Sequence, residues 1–411
     1  MAGTALATVV IELRRSILPS VARARSANVS GVGGLIIAGL TTLAVVAALR
    51  TGIHLSLLTT LVLATAMLAA AVAVRRPRRR QELALASSAF AERMRLSHGR
   101  SHISCFTSAG DKRTVVLPGG ALVAFRVAAR VAVVAGDPLV LPDQVPRAVD
   151  EFVALCRQNG WVPCFYQTAP TMREAYRRSH FRVATFGEEA VVDLEQFSLE
   201  GRRRANLRHE VARARRAGLT PSLLAWSDVD EQLRADLART STAWLSSHRS
   251  HREMGFSLGR FGETIDGDAL LTVVRASSGE IAAFSTWLRL GHDGIGLDLI
   301  RRRPDASPGA VDMCIATTLE AARSRGLRVA SLGLIPFRAE SGHAVCGGRM
   351  ARRARSMLFR RCVGGYRYRT LARFKDKFAP RWEPRDIAFP PGFAAPRALA
   401  GLIAVHVRKG A

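Results

Sequence analysis

The sequence is poor in acidic residues, has no paired cysteines, and lacks the motifs of hydrolytic and metal chemistry. Its 33 Asp and Glu face 60 Lys and Arg, mostly arginine, for a formal net charge of +27 over 411 residues. So little acid points to a polyanionic partner, either nucleic acid or an anionic lipid surface, and charge alone does not choose between them. The six cysteines (Cys105, Cys156, Cys164, Cys314, Cys346, Cys362) form no CxxC pair and no zinc-type spacing with histidine, so they read as reduced thiols. Cys164 and Cys314, flanked by apolar residues, read as core. No GxxxxGK[ST], HExxH or GxSxG occurs, which leaves nucleotide hydrolysis, zinc proteolysis and serine-hydrolase chemistry without support. Any nucleophile would have to come from a substrate, and neither a metal nor a cofactor is expected. Low-complexity tracts and short-period repeats are also missing.

Long apolar runs are present. Gly31 to Leu49 and Thr51 to Val74 carry no charge, and each is near the ~20 residues a helix needs to cross a bilayer. With only Arg50 to His54 between them they read as a transmembrane hairpin; a buried hairpin of a soluble protein is the alternative. Arg14, Arg15, Arg23 and Arg25 precede it and Arg75, Arg76, Arg78, Arg79 and Arg80 follow. By the positive-inside tendency both ends, and the large domain, face the cytoplasm of a multi-pass protein in the cell membrane. Thr4 to Val21 fits an amphipathic surface helix.

Beyond Arg80 the composition is globular. Strand-like runs (Ala121 to Val134, Ala190 to Leu194, Leu270 to Arg275, Ile281 to Leu288, Gly294 to Leu299, Val329 to Leu334) alternate with helix-like runs (Gln144 to Asn159, Leu199 to Ala217, Asp228 to Ser246, Val311 to Ser324). That order predicts α/β layers in two consecutive units of similar size. The expected division is an N-terminal amphipathic segment 1–30, membrane helices 31–74, a basic linker 75–87, α/β units 88–222 and 223–392, and a basic tail 393–411.

Three segments could carry chemistry. Leu199 to Ala217 holds Arg202, Arg203, Arg204, Arg208, Arg213, Arg215 and Arg216; such an arginine stripe suits phosphate contacts, and a solvated charged face explains it equally well. Asp298 and Arg301 end an apolar strand, where carboxylate and guanidinium can hold an ammonium and a carbonyl or phosphate oxygen, or merely cap the strand as an ion pair. Asp312, early in a helix, has the dipole as a sufficient reason. Leu371 to Arg385 interleaves Arg373, Lys375, Lys377, Arg381 and Arg385 with Phe374, Phe378 and Trp382, either as a stacking and phosphate-binding surface or as the core face of a last helix.

Taken in order, VAGDP (134–138), FY (165–166), GEEA (187–190), VDL (192–194), FSLEG (197–201), NLR (206–208), FST (284–286), DLIR (298–301), PGAVD (308–312), LGL (332–334) and FKDKF (374–378), with Pro380, Trp382 and Pro384, resemble the C-terminal catalytic domain of the phosphatidylglycerol lysyltransferases. These are also called aminoacyl-phosphatidylglycerol synthases or multiple peptide resistance factors. The resemblance covers roughly Ser88 to Pro390. It implies tandem acyltransferase folds of the GNAT type, and transfer of an aminoacyl group from aminoacyl-tRNA, the co-substrate, to a hydroxyl of the anionic lipid phosphatidylglycerol. On it, Asp298 and Arg301 are catalytic, Asp298 holding the ammonium or assisting proton transfer and Arg301 meeting phosphate or the oxyanion. Lys375, Lys377, Arg204, Arg208, Glu189, Asp312 and Arg385 are implied to bind substrate. Full-length members carry a multi-helix flippase region where this chain has a hairpin, so a separate flippase is the implied partner. Arg369 and Thr370 depart from the neutral residues expected before FKDKF. Another acceptor (a peptidoglycan precursor, another lipid, a metabolite) and an inactive membrane-tethered RNA-binding protein stay open. The transferred amino acid is not legible, because specificity rests on a pocket assembled from distant segments.

Overall fold

The computed structural model describes residues 83–247, 253, 255–262, 268–338, 368–391 and 394–407. The expected segment 1–30, the hairpin over 31–74, most of the linker, Cys346 and Cys362 lie outside the described residues, and among the described residues no helix is long and apolar enough to cross a membrane. Residues from Arg79 onward form one compact unit.

Strands β1 (Arg113–Val116), β2 (Leu122–Ala128), β3 (Val131–Ala135), β4 (Val162–Thr168) and β5 (Arg182–Asp193) come from the first half of this unit. After β6 (Thr220–Ala225), strands β7 (Leu270–Arg275), β8 (Ile281–Leu290), β9 (Gly294–Arg302), β10 (Val329–Pro336) and β11 (Arg381–Phe389) come from the second. They form one eleven-stranded sheet in the order β1-β2-β3-β4-β11-β5-β10-β9-β8-β7-β6. Exchanging β1–β5 with β7–β11 returns the same order reversed, so the two halves repeat one motif. Each runs two antiparallel pairings and then a parallel pair, β3 with β4 and β9 with β10, joined by a crossover helix, α2 (Val145–Asn159) or α6 (Ala310–Ser324). Even β6 has a counterpart, since Leu85 bridges Val115 on β1 as β6 pairs β7. Each half lends its last strand to the other: β11 lies between β4 and β5, and β5 between β11 and β10. The expected boundary at 222/223 falls within β6.

Local chemistry accounts for the elements. The run Ala121 to Val134, read as one strand, is a hairpin because Ala129 and Arg130 both take positive φ (50° and 60°), the geometry of a two-residue turn matched to strand twist. Helix α1 (Ser88–His98) is capped by Ser87, whose hydroxyl accepts from the Phe90 N–H at 3.3 Å. In α5 (Glu231–Ser246), Asp230 accepts from Leu233 at 2.7 Å. The arginine-rich run becomes helix only as α4 (Ala205–Arg216), after a 3-10 turn at Arg202–Arg204. Trp382 is not on a last helix with Phe374 and Phe378: α7 (Tyr368–Asp376) stops, Ala379 turns at φ 50°, and Trp382 lies on β11. Pro380 disfavours the α conformation at the residue before it. The expected basic tail is largely α8 (Ala394–Val407), with Ala398, Leu402 and Val405 buried in a cluster with Val131 and Val133 of β3, because its apolar residues recur at helical spacing.

One core packs α2 and α3 (Arg173–Arg178) on the first half through Phe125, Phe152, Phe165, Tyr176 and Phe181. Another packs α4 and α6 on the second through Leu207, Val211, Trp287, Ile315, Leu319 and Phe378. Cys105, Cys156, Cys164 and Cys314 are all free and buried, and the Cys164 and Cys314 thiols are pushed up by burial to about 12. The strand exchange makes a direct prediction: a fragment ending at residue 222 leaves β4 and β5 with an unpaired seam where β11 belongs. Far-UV circular dichroism and chemical denaturation of that fragment are expected to show no cooperative unfolding transition.

Candidate active site

Where the halves exchange strands, the sheet buries charge. Glu189 of β5 and Arg385 of β11 are 1 % and 5 % exposed, and Arg385 Nε donates to Glu189 Oε2 at 2.6 Å. Glu189 Oε1 accepts from Ser331 Oγ of β10 at 2.6 Å and from the His102 backbone N–H at 3.1 Å. Arg385 also donates to Glu383 at 2.9 Å. Burial alone would raise the Glu189 carboxyl, but Arg385, His102 and Ser331 outweigh it and hold the group below the usual carboxylate range.

Beside this pair the second half opens. Strands β9 and β10 pair in parallel only as far as Ser331 opposite Gly296, and β10 then bulges against β5 between Ser331 and Leu334. Gly333 sits in the bulge at φ 81°, a conformation glycine takes without strain. The gap receives a 3-10 turn, His102–Phe106, from the segment before β1. His102 Nε2 lies 2.7 Å from the Leu297 carbonyl, and its ring lies so close that a Cβ on Gly296 or Gly333 would crowd it. Burial lowers the His102 pKa against the pull of Glu189. From the other side α7 brings Lys375, 5 % exposed, to donate to the Gly333 carbonyl at 2.9 Å. Burial draws this amine down to about 7, with Glu189 opposing. An amine drawn toward neutrality by burial is a candidate for proton transfer.

Asp298 and Arg301 are three apart on β9, which in a regular strand would put them on opposite faces. The register shift opposite Thr286 and Trp287 reunites them. Arg301 pairs across from Phe284, and Asp298 Oδ2 accepts from Thr286 Oγ1, two residues further on β8, at 2.7 Å. Both then meet the segment around 253–261. Arg301 donates to Glu253 at 2.6 Å and lies 4.1 Å from the Trp244 ring centroid, while the Gly259 backbone packs so closely on Asp298 that a Cβ there would overlap the carboxylate. Asp298 and Glu189 both act on the buried Cys105 thiol, which burial, the largest cause, raises to about 12. Asp298 therefore borders the Glu189 cluster.

The other anticipated residues make contacts of their own. Lys377 donates to Asp312 at 2.7 Å at the start of α6, and Asp312 is raised by burial against Lys377. Arg204 and Arg208 are spent locally: Arg204 donates to the Gln196 carbonyl at 3.0 Å and stacks on Phe197, and Arg208 donates to the Leu199 carbonyl at 2.7 Å. Four residues escaped sequence reasoning. His102 and Glu253 gave no local signal. Asp137, in the VAGDP run, is buried, accepts from the Ala169 N–H and Tyr176 hydroxyl (both 2.8 Å), and is raised by burial to about 6. Asp386 (0 % exposed) is bound in a two-point pair by Arg173 at 2.5 and 2.9 Å. Among the described residues no cluster of His, Cys, Asp and Glu could hold a metal ion.

The architecture is thus that of an α/β protein with a buried ionic site where two repeated, strand-exchanged halves meet. The chain belongs to the family described as "Phosphatidylglycerol lysyltransferase, C-terminal", which matches residues 91–389. The lysylphosphatidylglycerol biosynthesis bifunctional protein LysX of Rhodococcus jostii (strain RHA1) is 32 % identical over 289 residues, 69 % of this chain and 26 % of that protein. The chain spans about a quarter of the length of such curated relatives. Two solved structures share the fold with a TM-score of 0.66: L-PGS from Bacillus licheniformis (25 % identity, 80 % of this chain and 100 % of that one), and the C-terminal domain of a putative lysylphosphatidylglycerol synthetase from Agrobacterium fabrum (27 % identity, 79 % and 98 %).

The Glu189–Arg385 pair makes a second prediction. Glu189→Ala leaves the buried Arg385 guanidinium with the part-exposed Glu383 as its remaining carboxylate and deprives Ser331 and the His102 N–H of their acceptor, so the unfolding free energy is expected to fall by about 3 kcal/mol, measured as a shift in urea midpoint.

Proposed function

We propose that the unit from Arg79 to Ala411 transfers an aminoacyl group from aminoacyl-tRNA to a glycerol hydroxyl of phosphatidylglycerol. What carries the reading is the buried lysine beside the β9–β10 gap that His102 fills, in a chain of this family: Lys375 donates to the Gly333 carbonyl, and burial draws its amine down to about 7, so that part of it is neutral near pH 7. The acceptor oxygen attacks the ester carbonyl, a new C–O bond forms and the bond to the tRNA ribose oxygen breaks. Lys375 takes the hydroxyl proton and returns it to the ribose oxygen, so the reaction is balanced. Asp298 holds the α-ammonium of the aminoacyl group. Arg301, once Glu253 yields it, faces the developing oxyanion or a phosphate. Glu189 and Arg385 hold Ser331, His102 and the Gly333 turn in place. Orientation of two bound substrates can supply roughly 7–11 kcal/mol of the barrier reduction.

In this reading the repeated halves are the tandem GNAT-type folds implied by the sequence motifs. Residues 31–74 anchor the unit as a two-helix hairpin with its cytoplasmic face toward tRNA, the arginine-rich surface around α4 contributes long-range attraction for both polyanions, and a separate flippase redistributes the product. The amino acid and the exact membrane topology belong to the same proposal.

Asp298→Ala and Arg301→Ala, checked for retained fold by circular dichroism, are expected to abolish aminoacyl-phosphatidylglycerol in lipid extracts analysed by mass spectrometry; full product in both would remove them from the mechanism. The rate in the wild type is expected to rise with pH through about 7, where Lys375 loses its proton, and Lys375→Met to lower kcat by about 10²–10⁴-fold and erase that limb. The same lysine makes stability pH-dependent. Its folded pKa lies below the unfolded value, so between about 7 and ~10.4 the unfolded chain holds the extra proton and stability rises with pH. Lys375→Met should flatten that slope.

A further inference from the structure

Asp298 and Arg301 of the second half are covered by residues whose anchor lies in the first. These are Glu253 and residues 255–261, between α5 and β7. Glu253 Oε1 accepts from the Arg301 guanidinium at 2.6 Å and from the Phe261 N–H at 3.2 Å. One carboxylate thus ties Arg301 to the far end of the same stretch. Gly259 lies against Asp298 and leaves no room for a Cβ.

Between these contacts sits a fixed point. The Ser257 N–H donates to the Gly255 carbonyl at 3.0 Å, a three-residue turn with Phe256 at its centre in the left-handed region (φ 70°). A non-glycine residue there is strained and persists only where its surroundings hold it. Here the first half does so. The Phe256 N–H donates to Asp111 Oδ2 at 2.7 Å, and Ser257 Oγ shares a hydrogen bond with His406 Nε2 of α8 at 3.0 Å. The Phe256 ring, 1 % exposed, packs with Tyr166 of β4 and edge-on against His406. Burial alone would raise the Asp111 carboxyl, but Lys112, the Phe256 N–H and Arg260 hold it below the usual carboxylate range.

The contacts on either side of this anchor are weaker. Glu253 keeps 17 % of its side chain exposed, and one ion pair that still touches solvent exchanges for another anion at little cost. Lifting Phe256 would instead expose a buried ring and break two hydrogen bonds. Glycines 255 and 259 flank the anchor and give the arms backbone freedom to turn about it. A phosphodiester offers a guanidinium the same negative charge and two-oxygen face that Glu253 does. Both substrates of the acyl-transfer reading carry one, in the lipid headgroup and in the RNA backbone.

We propose that residues 253 and 255–261 form a strap, pivoted on Phe256 in the first half, that closes the Asp298–Arg301 corner when no substrate is bound, and that a substrate phosphodiester opens it by displacing Glu253 from Arg301. The strap rests on the acyl-transfer reading for the role of the two residues it covers, and the test separates the two.

The measurement is amide hydrogen exchange of the full chain in detergent, read by mass spectrometry of overlapping peptides, with sn-glycero-3-phosphoglycerol and deacylated tRNA added separately as probes. A probe that displaces Glu253 is expected to speed exchange at Phe261, which loses its acceptor, and to leave Phe256, bonded to Asp111, unchanged. Whichever probe acts identifies the phosphodiester as that of lipid or RNA. Glu253→Gln keeps the shape and removes the competing charge. It is expected to lower the half-maximal probe concentration about tenfold, and the KM of the matching substrate by a similar factor in the transfer assay. No response to either probe overturns the strap, as does faster exchange at Phe256 and Phe261 together, which is unfolding without a pivot. An unchanged half-maximal concentration in Glu253→Gln, or a fall in kcat with KM unmoved, overturns the displacement of Glu253. Aminoacyl lipid formed by wild type without any exchange response upholds the transferase reading and sinks the strap. An exchange response at Phe261 alone, with no aminoacyl lipid formed, upholds the strap and sinks the transferase reading.

Discussion

The structure turns on a pair of opposite charges held between exchanged strands. Glu189 belongs to the last strand of one half and Arg385 to the last strand of the other, and they meet at 2.6 Å in the middle of the sheet. A buried charge is tolerable only when its partners are fixed. This pair therefore ties the placement of β5, β11, β10 and the His102 turn to one another. The exchange gives the halves a shared centre, and the shared centre is where polar groups survive burial.

From that centre the site follows by local irregularity. A bulge and one glycine stop β10 from pairing with β9, so the Gly333 carbonyl is free to take Lys375 and the gap is wide enough for His102. A second register shift returns Asp298 to the side on which Arg301 lies. In both places an interruption of the ladder, not its continuation, presents a functional group, and the two interruptions sit on neighbouring strands. The segment around Glu253 and Gly259 then lies over Asp298 and Arg301, so any anionic substrate must compete with Glu253 for the guanidinium.

The repeat also explains why the two halves look alike in fold and differ in chemistry. Each places a left-handed residue next to a buried carboxylate, Gly333 with Glu189 and Gln167 with Asp386. Only the second half receives a lysine from α7. Duplication of a fold thus yields two positions of equivalent topology and distinct chemistry.

The sequence by itself determined much of the local order. A continuous apolar run gave β7 with both of its ends, because both faces of the strand are buried, and apolar residues at helical spacing gave α2 and α6 to within a residue. The motifs around Asp298, Glu189 and Lys375 were legible in chain order and named the family. Other features lay beyond it. The turn at Ala129 and Arg130 has no Gly or Asn to signal it, and the odd spacing of Asp298 and Arg301 argues against a shared face until the bulge is seen. That Lys377 answers to Asp312, that His102 fills the gap between β9 and β10, and that β11 crosses into the first half were decided only by the tertiary structure. Those contacts join residues separated by more than two hundred positions where β11 pairs with β4, and only the packing of the whole sheet selects among the partners that the local sequence allows.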